Sequence, residues 1–174
     1  MARMQSACTA EESTPNERQT LAWALAMLGD GSSALDCLQG QAAEAKTALA
    51  VGRALLRGSA EQQIQGEQML LELTRRQPES TASDEAVRLL MEPLLPDPEL
   101  VEAIPESLAG RSAAVAAARV RINGGIGTID VLQRWPDDRD SWQLQWDEVR
   151  AALLDEHWEL SLIHISEPTR PRSI

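Results

Sequence analysis

The chain has 174 residues and a formal net charge of −11, and its only aromatic residues are five Trp. That acidic balance repels phosphate backbones and argues against nucleic acid as a partner. No apolar run approaches the roughly eighteen residues needed to span a bilayer, so no membrane span is expected.

Ala and Leu supply most of the apolar volume. Small and straight-chain residues favour closely packed helices, whereas strands draw on β-branched and aromatic ones. The expectation is all-α. Residues 1–13 show no helical periodicity, are too polar for a secretory signal and read as a flexible segment. Thr14-Pro15-Asn16-Glu17 then combines an N-cap, a proline in the first helical position and a capping-box glutamate. The helix it opens is expected to bury Leu21, Ala24, Leu25 and Leu28 and to stop at Gly29-Asp30-Gly31. A shorter helix over 33–39 turns Leu35 and Leu38 inward. A third spans about 43–57 and ends at Gly58. Ser59, with Gln62 three residues on, caps a fourth that reaches Gln77 before Pro78. Ser83 is expected to cap the next, with Ala86, Val87, Leu90 and Leu94 on one face and Pro93 and Pro96 closing it. Asp97-Pro98 starts a short helix that Pro105 ends. An Ala-rich helix over 111–122 breaks at Asn123-Gly124-Gly125, and its partner covers about 127–135 before Pro136. Asp140 is expected to cap the last full helix, whose Trp142, Trp146, Val149 and Leu153 fall on one stripe.

Helix–turn–helix pairs in series are the pattern of an α-solenoid. The segment Ala34-Leu35-Asp36-Cys37-Leu38-Gln39 lines up with Thr128-Ile129-Asp130-Val131-Leu132-Gln133. Upstream, Ala22, Ala24 and Leu28 match Ala116, Ala118 and Ile122. Leu153 to Glu159 reads as a third such turn. The pattern resembles tetratricopeptide-like repeats, without their full Trp–Leu–Gly–Tyr signature.

Few residues point to chemistry. Gly124-Gly125-Ile126-Gly127-Thr128 lacks the lysine and preceding strand of a phosphate loop and reads as a turn. Asp137-Asp138-Arg139-Asp140 lacks the glycine and distal glutamate of a calcium loop and reads as helix capping. His157 cannot by itself build a histidine triad or a multi-histidine metal site. Glu11, Glu12 and Glu44 are expected on solvated faces. Cys8 and Cys37 have no metal-binding or C-x-x-C spacing and read as two separate small residues, Cys37 in a helix core. No cofactor is implied. The four indoles Trp135, Trp142, Trp146 and Trp158 stand out. Trp142 and Trp146 are expected in the core between helix pairs, while Trp135 and Trp158 are the candidate binding residues, able to stack on sugar rings or anchor a partner.

The C-terminal run Leu160-Ser161-Leu162-Ile163-His164-Ile165-Ser166-Glu167-Pro168-Thr169-Arg170 resembles a translated transposase adapter used in preparing DNA for sequencing. That resemblance implies a natural sequence ending near Glu159, a truncated helical-repeat domain over 14–159 and a non-native tail over 160–174. Without Arg170, Arg172 and Glu167 the net charge goes from −11 to −12.

A second resemblance concerns function. The helix from Val115 to Ile122, the Asn123–Gly125 turn, Ile129-Asp130-Val131-Leu132 with Trp135-Pro136, and the Trp142–Trp146 helix leading into Asp155-Glu156-His157-Trp158 are similar to the N-terminal superhelical region of bacterial soluble lytic murein transglycosylases. That likeness implies a curled run of short helix pairs and a periplasmic or cell-envelope location. It also implies that the catalytic glutamate belongs to a separate lysozyme-like domain, so no catalytic residue carries over. The segment's partner would be peptidoglycan or a protein held in the concave groove. A tetratricopeptide-like protein-interaction module, cytoplasmic if the likeness fails, and a small-ligand regulatory domain are the other two readings.

Overall fold

The computed structural model describes residue 8, residues 13–93 and residues 97–154. Among these residues the regular elements are helices, with no strand: α1 (Pro15–Met27), α2 (Gly31–Leu38), α3 (Ala45–Leu55), α4 (Ala60–Arg76), α5 (Thr81–Leu90), α6 (Pro98–Glu102), α7 (Glu106–Ala109), α8 (Ala113–Ile122), α9 (Thr128–Arg134) and α10 (Arg139–Leu154). None is long and apolar enough to cross a membrane.

Local hydrogen bonds start these helices. Both capping boxes form: the Glu17 amide donates to Thr14 Oγ1 at 3.3 Å while the Thr14 amide donates to Glu17 Oε2 at 2.8 Å. Ser59 and Gln62 repeat the exchange at 3.4 and 2.7 Å. Three starts differ from the sequence reading. Asp30 caps α2 by accepting from the Ser33 amide at 3.1 Å, so the helix begins before Ser33. Ser80, not Ser83, caps α5. Ser83 is fully buried, its hydroxyl 2.7 Å from the Gln77 carbonyl and 3.3 Å from that of Leu73, where it ties α5 to the end of α4. Asp138 accepts from the Asp140 amide at 2.9 Å, taking the role expected of Asp140. The short helix α7, just after Pro105, is an element the sequence pattern did not announce.

The helices pack mainly on chain neighbours. Helix α1 lies on α2 and α3, α3 on α4 and α5, α4 on α5, and α8 on α5, α6, α9 and α10, with α9 against α10. Two larger cores run through this arrangement. One holds Leu25, Cys37, Leu38, Val51 and Leu55, and the other Leu70, Val87, Leu90, Leu108 and Val115. In α1 the buried stripe is Gln19, Ala22, Leu25 and Ala26, while Leu28 is exposed. This corrects the expected face in part, since Leu25 is buried as expected while Leu21 and Ala24 are only half-buried. The alanine-bearing side lets α2 and α3 approach, and Leu28 falls at the helix end beyond them. Gln19 is buried because its amide is used: Nε2 donates to the Ala42 carbonyl at 3.1 Å and Oε1 accepts from the Glu44 amide at 3.1 Å, bracing the loop before α3.

Glycine sets the closest approach. A Cβ at Gly66 in α4 would sit 2.9 Å from the Gly52 carbonyl oxygen in α3, and one at Gly31 would sit 2.9 Å from the Leu55 amide nitrogen. Backbones meet there because no side chain intervenes.

The cysteines also correct the sequence reading. Cys8 and Cys37 form a disulfide, with a Cα–Cα distance of 5.0 Å, and both are buried in the α1–α2 core. A separation of 29 residues carries no local signal of pairing; the α1–α2 turn brings Cys37 to Cys8.

The positions matched between helix pairs agree in part, for Leu38 is buried where Leu132 is half-buried and Ala22 is buried where Ala116 is half-buried. Ala34 and Thr128 are both buried, as are Cys37 and Val131, while Asp36 and Asp130 are both exposed. Leu94 lies outside the described residues.

Candidate functional site

The last hairpin and the helix before it form a unit with a small core of its own: Ala117, Val120, Val131 and Leu144, flanked by Ala116 and Trp135. The turn from α8 to α9 contains Gly124, Gly125 and Gly127, all at positive φ between 65° and 98°. Such a backbone suits a tight reversal, and glycine adopts it without strain. Thr128 closes it, its hydroxyl donating to the Gly125 carbonyl at 2.8 Å. This is the turn expected here.

Helix α10 shows one face to this core through Ser141 and Leu144, both buried. On its other side stand Trp142 and Trp146, 55% and 62% exposed, and Leu153, 56% exposed. The expectation that Trp142 and Trp146 are core residues is therefore overturned. Periodicity placed them together, but the packed face of α10 is the one carrying Leu144. Ile126 and Ile129 add exposed apolar surface on the α8–α9 turn and α9.

Trp135, a candidate binding residue, is partly buried against the small core, with the Arg134 guanidinium 4.5 Å from its ring centroid. Arg134 also donates to the Gly110 carbonyl at 2.6 Å, so it pins α9 to the end of α7. Trp158, the other candidate, lies outside the described residues, as do His157, Glu11 and Glu12. Glu44 is exposed at the start of α3, as expected. Trp23, which the sequence did not single out, lies in α1 with Lys46 Nζ 4.3 Å above its ring. That contact joins α1 to α3 across the fold, and nothing local in the sequence announces it.

Charge gathers where α10 begins. Arg88 of α5 reaches Asp138 at 3.2 Å and Asp140 at 3.9 Å. Burial, with the neighbouring Asp138 charge, pushes the Asp140 carboxyl above the usual carboxylate range, and Arg88, Arg139 and Arg121 oppose the shift. Asp140 Oδ2 and Ser141 Oγ are buried without a hydrogen-bond partner. Arg121 of α8 donates to Asp147 at 2.9 Å, both side chains being largely buried, and Gln143 donates to the other Asp147 oxygen at 3.1 Å. These pairs fasten α10 to α5 and α8. No group of three or more His, Cys, Asp or Glu among the described residues could hold a metal ion.

Comparison with protein-family models, with curated proteins and with solved structures finds no match for this chain.

Proposed function

We propose that this chain is a non-catalytic helical scaffold, a solenoid-like segment of a peptidoglycan-cleaving lytic transglycosylase that holds glycan or a protein near a catalytic domain. The observation that carries the reading is the pair of indoles, Trp142 and Trp146, exposed one helical turn apart on α10. Sugar rings present apolar C–H faces that stack on indole, and a chain of charge −11 has little else with which to grip an uncharged glycan. Two further features agree with it. The shared burial of Ala34 with Thr128 and of Cys37 with Val131, in α2 and α9, suits repeated helix pairs. The Cys8–Cys37 disulfide suits an oxidising compartment such as the periplasm, because such bonds persist there and are rare where thiols are kept reduced.

The test is retention on purified peptidoglycan sacculi. Trp142→Ala and Trp146→Ala should each reduce retention, with the helical circular dichroism spectrum unchanged. Equal retention of both variants and the parent chain would refute glycan stacking on this face. The second reading, a tetratricopeptide-like protein-interaction module, is favoured by Val149 and Leu153. They extend the indole pair with aliphatic side chains that a sugar-stacking platform has no use for.

A further inference from the structure

Charge seats α10 more than apolar contact does. Among the described residues the helix gives one side chain, Leu144, to the small core it shares with α8 and α9. The rest of its seating is polar. Arg121 of α8 holds Asp147 at 2.9 Å, and Arg88 of α5 reaches both Asp138 and Asp140, at 3.2 and 3.9 Å. The balance at Arg88 is uneven. Two mostly buried carboxylates face one guanidinium, and the Asp140 amide donates to Asp138 Oδ1 at 2.9 Å, which keeps the two side chains close. Asp140 Oδ2 is buried, and 3.9 Å is too far for the Arg88 Nε–H to bond it, so that oxygen has no hydrogen-bond donor.

The surrounding charges leave this imbalance in place. From α8, Arg121 is committed to Asp147 and Arg119 to Glu106. On α5, Asp84 and Glu85 are held by Arg111 and Arg53. The charged residues of α9, Asp130 and Arg134, are exposed, and Arg134 is engaged with the Gly110 carbonyl. Asp137 and Arg139, beside the pair in sequence, are exposed as well. Two ionised carboxylates in this setting repel one another and lose hydration. One proton between them removes the excess charge and turns an oxygen that lacks a donor into a donor itself. The upward shift of the Asp140 carboxyl, caused first by burial and then by the Asp138 charge, agrees with this geometry.

We infer that the start of α10 is a proton-operated latch: one proton held by Asp138 and Asp140 beneath Arg88 seats α10 on α5, and its loss loosens the helix that carries Trp142 and Trp146. The sign follows from linkage. The seated state holds the proton more tightly than the loosened one, so seating is firm on the acid side and weakens as pH rises through the Asp140 titration. The latch does not depend on what the indoles bind.

Amide hydrogen exchange of the full chain, read by mass spectrometry without glycan, tests this. Exchange over 141–150 is compared with exchange over α4, after correction for the intrinsic pH dependence of amides, so that changes in global stability cancel. The relative protection of α10 should fall at least about threefold from about pH 5 to about pH 7.5, and no more steeply than about tenfold per pH unit, the limit for one proton. Asp140→Asn keeps the shape of the side chain and removes its ionisation. It should protect α10 at neutral pH and flatten the dependence. Asp138→Asn leaves Arg88 facing one carboxylate and should flatten it too. Relative protection that is constant or rises with pH in the parent chain, or an Asp140→Asn variant that follows pH as the parent does, would overturn the inference. Exchange over α10 that is already complete at about pH 5 would overturn it equally, because no proton then seats the helix. Loss of glycan retention with this pH dependence intact would remove the proposed function alone.

Discussion

Replacing Gly66 with Ala should reverse the effect that substitution has in an isolated helix. In the interior of a helix, Ala is more favourable than Gly by about 1 kcal/mol. Gly66 lies within α4, and a Cβ there would come 2.9 Å from the Gly52 carbonyl oxygen, 3.1 Å from Leu55 Cβ and 3.1 Å from the Leu56 amide nitrogen. Two of these are backbone atoms of the α3 segment and the third is bonded directly to backbone, so none can rotate aside. Helices α3 and α4 must move apart, loosening the packing of Leu55 and Leu70, which are 1% and 0% exposed. Overpacking of this kind costs about 1–3 kcal/mol. The upper half of that range applies, because the obstacle is backbone rather than a flexible side-chain end. Offset by the helix gain, the net loss is about 1–2 kcal/mol, or roughly 3–6 °C in Tm for a chain of this size. The assay is urea and thermal unfolding followed by circular dichroism at matched concentration. A Gly66→Ala variant as stable as the parent, or more so, would refute the claim that α3 and α4 meet backbone to backbone.

Reducing the Cys8–Cys37 disulfide, or replacing Cys37 with Ser, should cost about 3–4 kcal/mol, the loop-closure effect of a bond joining residues 29 apart; unfolding with and without reductant measures it. Asp140→Asn should raise stability at neutral pH. The raised carboxyl pKa means that the charged form opposes folding above that pKa, and the penalty fades as pH falls through it towards the unfolded value, so the gain from Asn should shrink on acidification. A gain that grew in acid would contradict this sign. Trp142→Ala should cost less than about 1 kcal/mol, as exposed positions do; a loss of 3 kcal/mol or more would mean that the indole is buried after all. Removing residues 160–174 should leave the melting temperature almost unchanged, the outcome that the run's resemblance to a translated adapter implies.

The helical class and most turns are legible in the sequence because their causes are local. A capping box is an exchange between residues three apart, so Thr14 with Glu17 and Ser59 with Gln62 could be read directly. The glycine turn at 124–127 likewise declares a backbone that side chains disfavour. Ser83 shows where locality ends. It has the right chemistry for a cap, but its hydroxyl is drawn to the carbonyls of Leu73 and Gln77, and Ser80 does the capping.

The candidate site was only half legible for the same reason. A 3.6-residue period establishes that Trp142, Trp146, Val149 and Leu153 share a face, and it is silent on which neighbour, if any, covers that face. Burial belongs to pairs of elements: α10 turned Leu144 inward against α8 and α9, and this left the indoles outside. The Cys8–Cys37 bond and the Lys46–Trp23 contact are decided in the same way, by helices brought together from distant parts of the chain. Propensity, turn chemistry and the two capping boxes act within a few residues and were settled by sequence alone. The choice of packed face, the disulfide pairing and the exposure of the tryptophans depend on how whole helices share a core, and only the tertiary structure decided them.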